Sequence, residues 1–537
     1  VIKPADIPRL YNQHGSLKAI HRAYKDTISW HKVRKAYADA VKQGLMPELP
    51  IGPRSHATLK LALPKQRAKR LKTHSLRHKR YILTCAQNNT EVHAKTWVNL
   101  MALAKHYDAR VMVSTFLYAR RSHWQANLDK NAPDLRNREI WFDNAIVPYI
   151  SNDRVEIAPG LVWCGELNII PTAERPLSGL EVYTGRASMI VPHTHVQMQS
   201  IATIGGDGTK FNYTTGTVTL RNYIQRKEGF KSEFHHVYGA LLVEVDDEGH
   251  WWVRQLCADS DGAIYDLDVL ASDGTVTTGH RVEAITFGDV HVAEIDVSVE
   301  KGTWGTGGMV DQLRPRHQII HDVFDMYARG YHEIKNPYSQ LLHFVEGKDS
   351  VAAEVFEVRE FLKFIAREDC ETVVVNSNHD RFLWHWLNDK NARHDPVNAA
   401  YWSELNHLAM AYIAKNKKKP ELLALALGDV PARMLGQDES FVVCPDIGGG
   451  IECGLHGDLG PNGARGALRA FGKMGRRSNI GHSHVAGIDG GAWQAGTNSM
   501  LQLDYNHGPS AWSHSDIIVY PNSKRAIITF FKGKWKA

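Results

Sequence analysis

Ala284-Ile285-Thr286-Phe287-Gly288-Asp289-Val290-His291 decides how this 537-residue chain is read. A short, mostly apolar run of strand length, Ala284–Phe287, leads directly into an acid and an imidazole two residues apart. Three further stretches repeat the arrangement. His317–Ile320 leads into Asp322-Val323-Phe324-Asp325, Thr372–Val375 into Asn378-His379-Asp380, and Ser478–Ile480 into Gly481-His482-Ser483-His484, with a lone His456 before the last. Side chains placed at the ends of several strands converge in space, which is how α/β proteins build sites. Carboxylate, imidazole and amide ligands in this mixture suit a pair of divalent transition ions.

Each motif alone is weak, because an acid and a histidine on alternate positions recur by chance, and a lone histidine such as His456 is ordinarily a satisfied core residue. The conjunction is specific: five elements, in order, each at a strand end and within one domain's length. This order resembles the calcineurin-like metallophosphoesterase superfamily, whose pattern is D-x-H, G-D-x-x-D, G-N-H-D/E, a lone H, then G-H-x-H. The resemblance runs from about Arg281 to the C-terminus. It implies that Asp289, His291 and His484 hold one metal, that Asn378, His456 and His482 hold another, and that Asp322 bridges them. It further implies that His379 protonates the leaving oxygen with Asp380 orienting its ring, while Asp325 acts as a supporting carboxylate. His321 and Ser377 stand where the pattern has glycines, which alters the turn before a ligand in each case.

The chemistry needs these residue types. Two ions about 3.5–4 Å apart can share a hydroxide that attacks phosphorus, and can clamp the attacking and leaving oxygens of a phosphoester. A metal lowers the pKa of bound water from about 15.7 towards 7. Phosphodiester hydrolysis expels a poor alkoxide, to which a positioned imidazolium can donate. An asparagine ligand adds no charge and leaves the pair more cationic towards an anionic substrate. The mixed oxygen and nitrogen ligands favour Mn2+, with Mg2+, Fe2+ and Zn2+ as alternatives.

The composition fits an enzyme of two to four domains. Hydrophobic residues make up 43% of the chain, enough for substantial cores. No apolar run approaches membrane-spanning length, and the polar, charged start is not that of a signal peptide. Six scattered cysteines without a C-x-x-C pair point to a reducing cytoplasm rather than a disulfide framework or a zinc knuckle.

The net charge of +6 conceals an asymmetry: residues 1–80 carry 19 Lys/Arg against 4 Asp/Glu, and the remainder is net acidic. From Arg54 to Arg80 there are ten basic and no acidic residues. Such a segment neutralises phosphates and makes binding salt-dependent, so Lys69, Arg70, Arg77, Lys79 and Arg80 are candidate nucleic-acid contacts. A solvated basic linker is the plainer reading. Upstream lies a helix-turn-helix pattern. Ser16 is placed to cap a helix carrying Leu17, Ile20 and Tyr24, with Asp26 and Thr27 at a turn. Ser29 then caps a second helix through Val33, Ala36, Tyr37 and Ala40, ending near Gly44. Its early residues His31, Lys32, Arg34 and Lys35 are those a recognition helix presents to a groove. Plain helix packing is the alternative. A single unit of this size binds weakly, so a homo-oligomer, a dimer or higher, is expected.

The chain is therefore read as α/β (α+β) in four parts. A helix-turn-helix-like module spans 1–50, a basic linker 51–80, a mixed α/β and β-rich middle domain 81–279, and a four-layer αββα catalytic domain 280–537. The middle part opens βαβ: strand Tyr81–Ala86, helix Val92–His106, strand Arg110–Phe116. Strands follow at Ala240–Val245 and Trp251–Leu256. Gly205-Gly206-Asp207-Gly208 lacks the Lys-Ser/Thr of a P-loop and reads as a turn. His235-His236 beside Glu233 reads as core or surface histidine rather than a metal site, and this part is assigned no chemistry. In the catalytic part, Val351–Arg367 shows a core-facing stripe, Phe382–Leu387 packs over the sheet, and Ile517–Tyr520 with Ala526–Phe530 forms a closing hairpin. Glycines between Gly457 and Gly466 let the backbone approach the metals. Arg465, Arg469, Lys473, Arg476 and Arg477 either clamp a phosphate chain or form a solvated face.

A metal pair of this kind serves phosphomonoesterases, phosphodiesterases, protein phosphatases and nucleases alike. The basic N-terminal part selects a DNA nuclease, similar in chemistry to the double-strand-break-repair nucleases of the superfamily. The layout of the whole chain and its middle region also resemble the pre-early host-DNA-degradation family of T5-type phages. That second likeness implies manganese dependence and action on DNA in an infected bacterial cytoplasm. Two alternatives come from other classes: a phosphatase or nucleotide phosphodiesterase tethered to nucleic acid, and a DNA-binding regulator whose metal site is structural. RNA remains open as the polymer.

Overall fold

The computed structural model describes residues 2–14, 17–24, 27–46, 56–57, 74–118, 140–204, 208–330, 336–503 and 506–537. Two compact units emerge, Val1–His56 and Ala57–Ala537. The first is helical: Ile7–His14, Leu17–Ala23 and Trp30–Lys42. They close on Ile7, Leu10, Ile20, Ile28, Val33, Ala36 and Ala40, which recur at helical spacing. The two helices expected from sequence are thus joined by an earlier one. Ser29 stands at the N-cap of the third helix without a side-chain capping bond. Ser16 and Asp26 lie outside the described residues.

The second unit is α/β and is built on several sheets. One has six strands in the order Arg433–Met434, Glu371–Val374, His317–His321, Ala284–Asp289, Ser515–Val519 and Arg525–Thr529. The first four run parallel, and the closing hairpin pairs antiparallel against Ala284–Asp289. Alternation along each strand divides its side chains between two cores. Ile285, Phe287, Ile320 and Ile518 face helices that include Val297–Trp304, Val351–Ile365 and Asp380–Leu387. Ala284, Ile319, Val373 and Val519 face Phe441, Val443, Ile451 and Cys453 on the opposite side.

Val443 and Ile451, with Phe441 and Cys453 flanking their strands, belong to an eleven-stranded sheet that begins at His74–Ser75 and ends at Val442–Val443. Its centre is the pairing of Met198–Ile201 with Gly487–Asp489, in register at Gly487↔Gln199 and Ile488↔Met198. A four-stranded sheet of Trp251–Cys257, Gly239–Val245, Arg80–Gln87 and Arg110–Phe116 packs one face on this sheet, with Tyr81, Leu83 and Leu241 against Trp163, Tyr213 and Trp493. Its other face takes the crossover helix Ala94–His106 through Trp97, Leu100 and Leu103. The boundary expected at residue 279 therefore lies inside one compact unit, because strands from both sides of it share a sheet and a core. All six cysteines are free, and five are buried. Among the described residues no helix is long and apolar enough to cross a membrane.

Candidate metal centre

Parallel pairing brings the motifs together. Asp289 closes its strand opposite His321, where a register shift breaks the ladder and releases the chain into the site. Asp322 follows at once, and the 378–380 turn leaves the next strand along. His482 and His484 arrive from the other sheet, at the end of Arg477–Ile480. Four of these residues take positive φ: His291 at 46°, Asp322 at 42°, His482 at 75° and His484 at 59°. Non-glycine residues in that region cluster where surrounding structure imposes them, commonly at functional sites. Gly481 is required for another reason: a Cβ there would collide with Asp289 Oδ1.

Two sets of donors result. In one, Nε2 of His484 lies 3.0 Å from Nε2 of His291 and 3.1 Å from Oδ2 of Asp289. In the other, Nε2 of His456 lies 3.2 Å from Oδ2 of Asp322 and 3.0 Å from Oδ1 of Asn378, with His482 alongside. Asp322 Oδ2 also lies 3.9 Å from His291 Nε2, so its carboxylate stands between the sets.

The proton inventory tests whether a cation fits. Nδ1 of His291 lies 3.0 Å from the Asp325 carboxylate, which can only accept, so Nδ1 carries the hydrogen of the neutral ring. Its Nε2 then presents a lone pair 3.0 Å from Nε2 of His484, which that ring's Nε2–H tautomer satisfies in the free site and a cation would satisfy in its place. Two nitrogens at metal–nitrogen distances of about 2.1 Å and roughly a right angle apart would be separated by about 3 Å. Among the described residues, Oδ1 of Asp322 and Oδ2 of Asp289 are buried without a hydrogen-bond partner. Divalent cations would satisfy these lone pairs, and the residues fit them.

Burial pushes both site carboxylates towards protonation, but neighbouring histidines win. Asp289 is held below its ordinary range by His456 and His484, and Asp322 well below it by His456 and His379. Burial lowers His379, yet Asp322 and Asp325 carry it up to about 10. Bound cations would oppose that rise.

Three placements differ from the sequence reading. The His379 ring is held by Asp325, whose Oδ1 and carbonyl oxygen both lie 3.1 Å from its Nδ1. Asp380 does not reach that ring. Its Oδ2 accepts from the Ser377 amide at 3.0 Å and so fixes the turn that presents Asn378 and His379. His321, read only as a substituted turn glycine, is fully buried against the site, its Nδ1 3.3 Å from Nδ1 of His456. In that contact one ring nitrogen donates to the other, and His321 also lies among the groups that could hold a metal, with Asp289 and His456. The only sequence signal for it was a histidine directly before Asp322.

The basic candidates divide. His31, Lys32, Arg34 and Lys35 are all exposed on Trp30–Lys42. Lys69 and Arg70 lie outside the described residues, as does most of the expected linker and Gly205 to Asp207. Arg77, Lys79 and Arg80 are not free cations: they pair with Glu156 at 3.3 Å, Asp247 at 3.0 Å and Glu244 at 2.9 Å. Those acidic partners are distant in sequence, and the Arg77 and Lys79 pairs are solvent-exposed. Beside His482 a groove of about 340 Å³ is lined by Gly457, Gly466 and Gly481. A Cβ on Gly466 would strike the Gly457 carbonyl, so backbone does approach closely there.

The fold and this centre define an α/β protein whose buried histidines and aspartates can hold metal. The chain is 35% identical over 476 residues to Protein A1 of Escherichia phage T5, an alignment covering 86% of this chain and 83% of that protein. It belongs to the family of that phage protein. No family profile matches the chain. No solved structure matches it.

Proposed function

We propose that this protein is a phage nuclease: a phosphodiesterase of the calcineurin-like metallophosphoesterase type that uses two divalent ions, Mn2+ first among them, to degrade host DNA in the bacterial cytoplasm. The observation that carries this reading is the meeting of seven donors from five separated sequence elements around buried carboxylate oxygens and imidazole nitrogens that cations would occupy. Ions held there supply Lewis acidity and positive charge for hydrolysis of a phosphodiester. Asp289, His291 and His484 are assigned to one ion and Asn378, His456 and His482 to the other, with Asp322 shared.

The chain's own contribution is orientation and proton handling. Asp325 holds two imidazoles at once, keeping Nδ1 of His291 protonated and its Nε2 free to ligate. The same carboxylate holds Nδ1 of His379, leaving Nε2 as the atom that releases a proton to the leaving oxygen. Asp380 positions the turn. The exposed cations of Trp30–Lys42 engage phosphates, and their contribution weakens with salt. Family membership with a phage protein supports the phage setting.

Incubation of the full-length protein with supercoiled plasmid and linear duplex tests the reading, with Mn2+, Mg2+ or EDTA and with His379→Ala in parallel. Metal-dependent cleavage that His379→Ala loses is expected. Intact DNA under every metal, with hydrolysis of a chromogenic phosphoester retained, would turn the assignment to a tethered phosphatase or nucleotide phosphodiesterase. Tight DNA binding without any hydrolysis would turn it to a regulator.

A further inference from the structure

A second cleft, of about 450 Å³, opens where strands from the two halves of the large unit meet. Seven Lys/Arg side chains line it against two carboxylates, Glu174 and Asp489. Among the described residues, Arg221, Arg469, Lys473 and Lys524 form no ion pair. Arg477 donates to the Ser523 and Ile447 carbonyls, and Arg525 to the carbonyls of Ser478 and Gly491 and the amide oxygen of Asn479. Every recorded acceptor is therefore neutral, although Arg525 is buried.

Concentrating like charges under partial burial is costly without a counter-charge. Burial and the neighbouring Arg477 lower both Lys524 and Arg525. Two further donors complete the wall. His195 and His236 are 8% and 4% exposed, both line the cleft, and among the described residues Nε2 of each has no hydrogen-bond partner. The Tyr223 hydroxyl, 2.6 Å from Nδ1 of His236, occupies that ring's other nitrogen. The ligand atoms of these histidines do not converge as a metal group among the described residues. Cations in excess, with buried nitrogens lacking partners, describe a receptor for an anion.

Of the basic run in the sequence, Arg469, Lys473 and Arg477 enter this cleft, whereas Arg476 pairs with Glu452 at 3.5 Å. Arg477 opens the strand whose other end leads to His482 and His484, and at about 3.3 Å per residue that strand alone separates its ends by roughly 10 Å. We propose that this cleft is a phosphate-binding site, separate from the metal centre, that takes the terminal phosphate of a nucleotide, free or at the end of a DNA strand. Its volume suits a ligand of that size. Arg469, Lys473 and Lys524 supply charge, and the two histidines supply directed hydrogen bonds.

The test is calorimetric titration of the full-length protein in EDTA, so that it stands or falls independently of the metal centre. The probes are dAMP, deoxyadenosine and inorganic phosphate. Saturable binding of dAMP is expected, with phosphate competing and deoxyadenosine silent. The Arg469→Ala/Lys473→Ala double variant changes only exposed side chains and should weaken binding at least tenfold with an unchanged circular dichroism spectrum. Lys524→Met should do the same from a half-buried position. Fluorescence anisotropy of a hairpin DNA with a 5′-phosphate or a 5′-hydroxyl separates the sources. A preference for the phosphorylated end, lost in the double variant, assigns the site to DNA ends, and binding of dAMP alone assigns it to free nucleotide. Absence of saturable binding for both dAMP and the phosphorylated hairpin, or binding that the double variant leaves intact, overturns the proposal.

Discussion

Nε2 of His291 and Nε2 of His484 lie 3.0 Å apart, although the residues are separated by 193 positions in the chain. With Nδ1 of His291 committed to Asp325, its Nε2 offers a lone pair beside His484 Nε2, and a divalent cation at that point would take both nitrogens as ligands. Mn2+ at a hundred times its Kd should therefore stabilise the protein by about 2.7 kcal/mol, read as a rise in Tm that EDTA reverses. His484→Ala should abolish most of the rise. An unchanged Tm across the Mn2+ titration would count against the centre.

Asp325 touches two imidazoles and is not itself assigned as a ligand. Asp325→Asn keeps the volume and removes the charge that fixes both rings. Loss of a carboxylate that orients a ligating imidazole typically lowers metal affinity or activity by about 10–100-fold. Metal titration followed by calorimetry measures the first effect. Asp380→Asn should leave metal affinity closer to that of the wild type, because its carboxylate serves the Ser377 turn.

Gly481→Ala removes no ligand. The added methyl would meet Asp289 Oδ1 and the ring of His321, so the two halves of the centre must part. Weaker metal binding with little loss of global stability is expected. Wild-type affinity in this variant would mean that the approach of the 481 backbone to Asp289 is dispensable.

Away from the centre, Arg254 is buried with Nε 2.7 Å from Asp266 and Nη1 2.6 Å from Glu244. Arg254→Met leaves two buried carboxylates without their main counter-charge, and breaking such a pair costs about 3–5 kcal/mol. Urea denaturation should show the loss as a lower midpoint. A midpoint equal to that of the wild type would show that water or Arg80 compensates.

The same network sets a pH dependence. Burial pushes the Glu244 carboxyl up, but Arg254 and Arg80 more than offset this and hold it below the ordinary range. A depressed carboxylate contributes stability that is fully present above the unfolded value of about 4.3 and is lost as pH falls through the folded value. Glu244→Gln should therefore melt below the wild type at neutral pH, with the gap narrowing as the pH drops below about 4. A gap that stays constant into acid would assign the difference to packing instead.

What the amino-acid order determined by itself was local. The strand-then-turn motifs at 284–291, 317–325, 372–380 and 478–484, the βαβ opening and the closing hairpin were legible because a strand's alternation and the turn after it lie within about ten residues. Ala284–Asp289 and Arg110–Phe116 illustrate this. Tertiary structure alone decided the rest. The pairing of Ile488 with Met198 joins segments 290 positions apart, across the boundary expected at 279. Strand partners are chosen by which faces bury together, and no local window records that choice. The acids that take Arg77, Lys79 and Arg80, the turn from Asp325 to His379 and the buried His321 were hidden for the same reason. A side chain's type is written in the chain, whereas the group that it must satisfy once water is excluded is set only when the sheets close.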